Sequence, residues 1–368
     1  MKVCFIADAD SIHTRRWVAP LLESGVQAQV ISYKRINQPW PEVDLIDLTR
    51  KTGVKKARFL AWGLWLRRFL RQHPPDVLHA HQVSGAGWLG AMAGYHPFVV
   101  SAWGSDLLVE PNKSRFRRRL VTTVLRTCDR LVVPAPLMLG AARDLGLSED
   151  HIALIPWGIE AELFRSTPED RLETRAALGI DPSLPVVFSP RGIAPVYNHD
   201  TVLLAAKSLA EQGQTVVVLL LRFNVDHSTL QSLEQLIARL GLEQTVRWLD
   251  PQTSLTSMAK LYRMSDVVVS IPSSEGYGFT VYEAMSCGCP AVITDLPLFA
   301  TEMAHGVHVL KTPVRDVEKT AEALAHLLRD ASLRQRLVAN AAPLAQAHSV
   351  ARRVAQAETL YRELTRKK

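Results

Sequence analysis

Short apolar runs that alternate with longer helical patterns constrain this chain more than any other feature. Runs near 2–7, 28–33, 77–81, 97–102, 130–134 and 152–155 are read as strands, and a second series follows near 185–190, 215–221, 245–249, 266–271 and 290–293. Most are continuous rather than alternating, as strands buried on both faces of a parallel sheet are. The helical stretches between them supply the crossovers that parallel strands need. This order predicts the α/β class, with doubly wound sheets. The pattern breaks at 156–184, where IPWGIEAELF leads into a polar stretch ending DPSLP. Two Rossmann-like domains are therefore expected, over 1–160 and 161–345, which suits a chain of 368 residues at ~100–200 residues per domain. A terminal segment, 346–368, follows them. Val350, Val354, Ala357, Tyr361 and Leu364 make it an amphipathic helix.

The stretch SSEGYGFTVYEAMSCGCP, from Ser273 to Pro290, carries the densest chemistry. The strand run at 266–271 leads into a glycine turn (Gly276-Tyr277-Gly278), and a helix opens behind it. A helix N-terminus offers N–H groups outside the helix ladder and a positive dipole, which together favour an anion. The glycines let backbone approach a phosphate, and the carboxylates of Glu275 and Glu283 accept hydrogen bonds from sugar hydroxyls. Phosphate donors beside hydroxyl acceptors suggest a nucleotide-sugar site.

The spacing of Glu275 and Glu283 is an E-x7-E signature, and its surroundings resemble the retaining glycosyltransferases of family 4. Their usual string is close to S-x-x-E-G-F-G-x-x-x-x-E-A-M-x-x-G-x-P. Here the serine of that string is displaced, with Ser273 one place late and Ser274 two, and Tyr277 replaces the phenylalanine. The likeness runs from the opening strand and its WV…LL…G helix, through 155–164, to the last helix. It implies the GT-B fold: two facing Rossmann-like domains with an inter-domain cleft, and a C-terminal helix that crosses back to the N-terminal domain. It also implies transfer of a hexose from a nucleoside-diphosphate sugar to an acceptor hydroxyl, with retention and without a metal or other cofactor. UDP is the default nucleotide. Arg191, just past the strand at 185–190, would grip the diphosphate as a planar, always-charged fork. The N–H groups of Phe279 and Thr280 would add backbone donors. Glu275 would bind sugar hydroxyls near the reacting centre, and Glu283 the ribose. Glu275 and Arg191 are thus the expected catalytic pair.

The chain departs from the family pattern in three places. A lysine usually follows the arginine by five residues, but Val196 and Tyr197 occupy that neighbourhood. Arg222, at the next strand end, is either its replacement or a surface arginine. A glycine pair is usual after the first strand, where this chain has Ser11, Ile12 and His13. Ser11 is a candidate N-cap, and His13 either reaches the donor or faces solvent. A segment that often reads T-x-H-G-(S/T)-D keeps Gly104, Ser105 and Asp106 but has Trp103 for the histidine. Tryptophan offers a stacking face and one N–H donor, and no acceptor. His81 ends a strand on the same side, as an acceptor contact or as a structural histidine.

Two other motifs have simpler readings. Gly85–Gly90 is literally G-x-G-x-x-G, but it opens a later βα unit, whereas the dinucleotide fingerprint opens the first. Asp8-Ala9-Asp10 is literally D-x-D, yet it comes too early in the chain for the metal-binding triplet of the other large glycosyltransferase fold. No metal site is expected. Two competing classes remain, a non-catalytic nucleotide-sugar-binding protein and a sugar-nucleotide epimerase or hydrolase on the same fold.

The net charge of +7 is uneven: residues 1–160 carry 21 Lys+Arg against 14 Asp+Glu, and residues 161–368 carry 22 of each. An anionic acceptor or a lipid-linked one would suit the N-terminal domain, as would simple solubility. The segment 50–73 interleaves eight cations with Phe59, Trp62, Trp65 and Phe69. That stripe either packs on the first sheet or lies on an anionic membrane surface. No nucleic-acid-binding module accompanies the charge. No apolar run is long enough to span a membrane, and the opening MKVCFIADAD does not read as a secretory signal. Cys4, Cys128, Cys287 and Cys289 read as buried thiols of a reducing compartment. A cytoplasmic protein is expected, with contact at the inner membrane face if the basic segment binds lipid.

Overall fold

Strand β1 (Lys2–Ala7) is buried from Val3 onward because strands pair with it on both sides. The others of its sheet are β2 (Gln27–Ser32), β3 (Asp44–Asp47), β4 (Val77–His81), β5 (Phe98–Ser101), β6 (Arg130–Val133) and β7 (Ile152–Leu154). All pair in parallel in the order β3-β2-β1-β4-β5-β6-β7. The helices that follow them are α1 (Ile12–Glu23), α2 (Arg58–Gln72), α3 (Ala86–Ala93), the one-turn α4 (Ser105–Leu108), α5 (Arg115–Thr127) and α6 (Leu137–Asp144). The computed structural model describes residues 1–50, 58–167, 169–252 and 254–366. The chain falls into two units, one of Met1–Gly158 with Val350–Lys368 and one of Ile159–Ser349.

In the first unit, Cys4, Ile6, Leu78, Ala80 and Val100 point to one sheet face, where they meet Trp62, Leu66, Leu70, Leu89, Val121 and Val124. Alternate residues face the other side. There the buried ring of Trp17 meets His79 at 5.7 Å between centroids. The literal G-x-G-x-x-G belongs to this packing. A Cβ on Gly90 would meet the Phe98 ring at 2.3 Å, and one on Gly87 would meet Val124 at 2.9 Å.

The second unit contains β8 (Val186–Ser189), β9 (Val217–Leu221), β10 (Val246–Leu249), β11 (Val267–Ser270), β12 (Ala291–Thr294) and β13 (Leu310–Thr312), parallel in the order β10-β9-β8-β11-β12-β13. Its helices are α7 (Glu169–Ala177), α8 (His199–Glu211), α9 (His227–Leu240), α10 (Leu255–Met264), α11 (Phe279–Ser286), α12 (Val317–Arg329) and α13 (Ala331–Ala347). Arg175 of α7 is 1% exposed. It donates to the carbonyls of Met264, Pro182 and Leu184 and to Asp266 at 2.7 Å. Asp266 also accepts from the Val186 N–H at 2.7 Å, so one carboxylate fixes the starts of both β8 and β11.

The last helix, α14 (Val350–Arg366), belongs to the first unit. Its buried face is Arg353, Ala357, Leu360, Tyr361 and Leu364. The sequence pattern includes Ala357, Tyr361 and Leu364 of that face but not Arg353 or Leu360. The Arg353 guanidinium donates to the Trp17 and Arg16 carbonyls at 2.8 and 3.1 Å and lies over the Trp17 ring. An arginine so partnered can sit in a core.

Candidate active site

In each sheet the strand order reverses at one point, and in open α/β sheets the crevice outside the strand ends at that point is where ligands bind. In the second unit it lies between β8 and β11. Arg191 follows β8 and Glu275 follows β11, so topology alone brings them together. Their ion pair is 2.7 Å long, with side chains 11% and 13% exposed. Arg191 also donates to Thr280 Oγ1 at 3.0 Å, and its guanidinium lies 4.4 Å from the centre of the Tyr197 ring. The neighbourhood of the missing lysine thus holds a ring that supports the arginine by a cation–π contact. Three groups from separate segments hold one guanidinium still at the mouth of α11.

The turn into α11 requires glycine at one position. Gly278 is its N-cap with φ +89°, and an added Cβ would meet the Phe299 ring at 2.7 Å. The helix ladder starts with Val281 and Tyr282, which donate to the Gly278 carbonyl. Phe279 and Thr280 therefore lead the helix, at the end where the dipole is positive. The Gly276 N–H donates to the Glu275 carboxylate at 2.9 Å. Tyr277 is 5% exposed, with its ring against Phe279 and Tyr282. Glu283 is 8% exposed and accepts from the Tyr262 hydroxyl at 2.8 Å. Burial and this carboxylate hold the Tyr262 hydroxyl well above the usual phenol range.

Sequence reasoning missed His199, which is 2% exposed. One ring nitrogen is 2.9 Å from the Gly192 carbonyl and the other 3.4 Å from Ser189 Oγ, so it shapes the loop that carries Arg191. Burial lowers its pKa from the ordinary histidine value. Only its place directly after Tyr197 and Asn198, at the start of α8, hinted at such a role. Gly192 admits the neighbouring loop, since a Cβ there would lie 2.6 Å from the Phe223 carbonyl oxygen. Arg222, just before Phe223, is half-exposed, pairs with Glu234 at 3.3 Å and lies over Trp248.

In the first unit the reversal lies between β1 and β4, which places the loop of Ser11 and His13 beside the end of the strand carrying His81. Ser11 occupies the N-cap position of α1, but its side chain makes no cap hydrogen bond. His13 lies 5.3 Å from both Trp103 and Trp157, and burial with nearby Arg16 lowers its pKa. His81 is 1% exposed among Phe5, Trp17, His79 and Trp103. Neither of its ring nitrogens has a hydrogen-bond partner among the described residues, and burial pushes it down to about 3. It is a core residue at the strand end rather than an exposed one.

Trp103 is half-buried against the same rings. Gly104 has φ +120°. Asp106 accepts from the N–H groups of Val83, Trp103 and Gly104 at 2.8–2.9 Å. Its burial raises its pKa while those three bonds pull the other way. The carboxylate thereby organises two loops at the strand ends. The literal D-x-D is equally occupied, with Asp8 paired to Lys34 at 2.8 Å and Asp10 accepting from Asn37 and Gln38.

Of the basic aromatic segment, residues 51–57 lie outside the described residues. From Arg58 on, Trp62, Leu66 and Leu70 are buried against the sheet, Phe59, Trp65 and Phe69 pack beside them, and Leu60 and Leu64 are exposed. All four cysteines are buried free thiols. Among the described residues, no group of three or more His, Cys, Asp or Glu is placed to hold a metal, and no helix is long and apolar enough to cross a membrane.

Comparison with known proteins agrees with this geometry. Residues 170–343 match the family model for glycosyl transferases group 1, and residues 2–134 match the glycosyl transferase 4-like model. A D-inositol 3-phosphate glycosyltransferase of Nocardia farcinica is 30% identical over 305 residues, 77% of this chain and 67% of that protein. Its namesake from Actinosynnema mirum is 27% identical over 313 residues, 79% and 74% of the two chains. Among solved structures, Anabaena HepE in complex with UDP superposes with TM-score 0.81 at 20% identity, covering 98% of this chain and 99% of that one. A Rickettsia africae glycosyltransferase gives 0.84 at 14% identity, covering 100% and 99%. The chain belongs to the group 1, family-4-like glycosyltransferases, and its two parallel α/β units are those of the GT-B fold.

Proposed function

We propose that this enzyme moves a hexose from a nucleoside-diphosphate sugar, with UDP as the nucleotide, to an acceptor hydroxyl, with retention and without a resident metal. The observation that carries this reading is the convergence of Arg191, Glu275 and Thr280 at the N-terminus of α11. Arg191 and the N–H groups of Phe279 and Thr280 hold the diphosphate, where they stabilise the charge that develops as the nucleotide leaves. Glu275 binds sugar hydroxyls and Glu283 the ribose. The bond from the sugar C1 to the phosphate oxygen breaks, and the bond from C1 to the acceptor oxygen forms on the same face. The acceptor proton passes to the departing phosphate. HepE, solved with UDP and with UDP-glucose, lends support to the nucleotide.

The acceptor engages the N-terminal unit and carries an anionic group on it or near it. The positive excess of residues 1–160 supports this, and relatives are named for D-inositol 3-phosphate. Candidate contacts are Arg67, Arg68 and Arg71 of α2 and Arg115, Arg117, Arg118 and Arg119 of α5, all exposed, of which Arg117 is paired with Glu110. A lipid-linked acceptor would bring these helices to the inner membrane face of the cytoplasm. Salt screens exposed charges with a Debye length of ~8 Å at physiological strength, so added salt raises KM for the acceptor more than for the donor. Equal responses would remove the anionic acceptor.

The test of the reaction is turnover of a UDP-hexose panel, with the anomeric proton of the product read by NMR. An α-linked product from an α-linked donor, formed equally in chelator, is expected. A β-linked product, or activity that stops in chelator and returns with manganese, overturns the mechanism. A donor consumed without acceptor to an isomerised sugar nucleotide would make the protein an epimerase.

A further inference from the structure

The glycine turn differs from the usual family string at Tyr277, which stands where phenylalanine is common, so its hydroxyl is an addition of this chain. That hydroxyl lies 2.8 Å from His348 Nδ1, inside the second unit. The other nitrogen, His348 Nε2, is 3.3 Å from Glu302 Oε1, and the second oxygen of Glu302 accepts from the Tyr282 hydroxyl at 2.8 Å. The circuit closes through the rings, because Tyr282 stacks on His348 with centroids 3.9 Å apart. Tyr277 and His348 are 5% and 3% exposed. Burial alone would raise the Glu302 pKa, but its bonds to His348 and Tyr282 bring it below the usual carboxylate value.

The backbone of His348 has a second task. Its carbonyl accepts from the Ile159 N–H at 2.8 Å, and Ile159 pairs with Ser349 in a parallel bridge. Ile159 and Ser349 are the first and last residues of the second unit, where the chain passes from and to the first. One residue therefore touches the donor turn through its side chain and both chain crossings through its backbone.

We infer that His348 is a positioning residue that, with Glu302, clamps Tyr277 and so ties the nucleotide-binding turn to the two crossings between the units. The inference rests on the donor site proposed above. Tyr277 fixes the turn between Gly276 and Gly278, and Tyr282 fixes the first turns of α11, so both walls of the diphosphate site lean on one imidazole and one carboxylate.

The test is UDP affinity by calorimetry on the full chain, for the parent, Tyr277→Phe, Glu302→Gln, His348→Gln and the double variant Tyr277→Phe with His348→Gln. Tyr277→Phe restores the usual family residue and removes one oxygen, so it is expected to fold. Loss of one buried hydrogen bond should weaken UDP by about 3- to 10-fold, with Glu302→Gln in the same range. The double variant should bind no more weakly than His348→Gln alone, as members of one network do. UDP should also slow hydrogen exchange at the peptide containing Ile159 in the parent, and this response should be lost in Tyr277→Phe. A merely structural clamp would lower the melting temperature and leave UDP affinity and the exchange response unchanged. Parent-like UDP binding by Tyr277→Phe and Glu302→Gln, or losses that add in the double variant, would overturn the inference. Failure of the parent itself to bind UDP would instead overturn the donor site.

Discussion

Arg191→Ala is the perturbation with the clearest expected size. In the structure the guanidinium is fixed by Glu275 at 2.7 Å, Thr280 at 3.0 Å and the Tyr197 ring at 4.4 Å, with its side chain only 11% exposed. A charge-assisted hydrogen bond in such a setting contributes about 1.5–3 kcal/mol. At ~1.4 kcal/mol per tenfold, UDP affinity should fall by roughly 10- to 150-fold. Removing the arginine also leaves the Glu275 carboxylate, 13% exposed, without its cation beside the incoming diphosphate, which pushes in the same direction. Uridine lacks phosphates and should bind the variant as it binds the parent. Arg191→Lys keeps the charge but loses the planar fork, so its loss should be intermediate. Calorimetric titration of UDP and uridine into all three proteins reads these differences. Parent-like UDP binding by Arg191→Ala, or equal losses for UDP and uridine, would refute the assignment of Arg191 to the diphosphate.

Glu275→Gln should keep UDP affinity within a few fold and lose most turnover, because an amide oxygen accepts from sugar hydroxyls less strongly than a carboxylate; steady-state kinetics on the sugar donor separates the two. Gly278→Ala combines φ +89° with a Cβ 2.7 Å from the Phe299 ring, a strain of about 1–3 kcal/mol. It should lower the urea midpoint and UDP affinity together. Asp266→Ala strands the buried Arg175 guanidinium and should destabilise the fold by about 3–5 kcal/mol, seen as a lower urea midpoint, without changing UDP affinity in the molecules that remain folded.

Much of the fold is legible in the sequence, because central parallel strands are continuous apolar runs and their limits come within a residue or two of the observed ones. Two of the four edge strands are not. Four-residue β3 is exposed or half-exposed throughout, and three-residue β13 centres on the half-buried Lys311, so no apolar run announces either of these rim strands. Arg175 and Arg353 escape for another reason: a pattern search assigns arginine to the surface, and only the carbonyls and carboxylate gathered around each explain its burial. At the site, Arg191, Glu275 and the glycine turn are legible because the motif is local. Glu302 and His348 meet their partners across 20 and 71 positions of chain, where no spacing rule reaches, and His199 belongs to no recognised motif. For His81 the strand-end position leaves both an acceptor contact and a structural role open, and its burial among Phe5, Trp17, His79 and Trp103 fits the structural one.

A crystal structure of the enzyme soaked with UDP tests the donor site most directly. The diphosphate should lie against the N–H groups of Phe279 and Thr280 with Arg191 on its oxygens, and the ribose hydroxyls should reach Glu283. UDP ordered elsewhere on the molecule, or a diphosphate that touches neither Arg191 nor the first turn of α11, would contradict it.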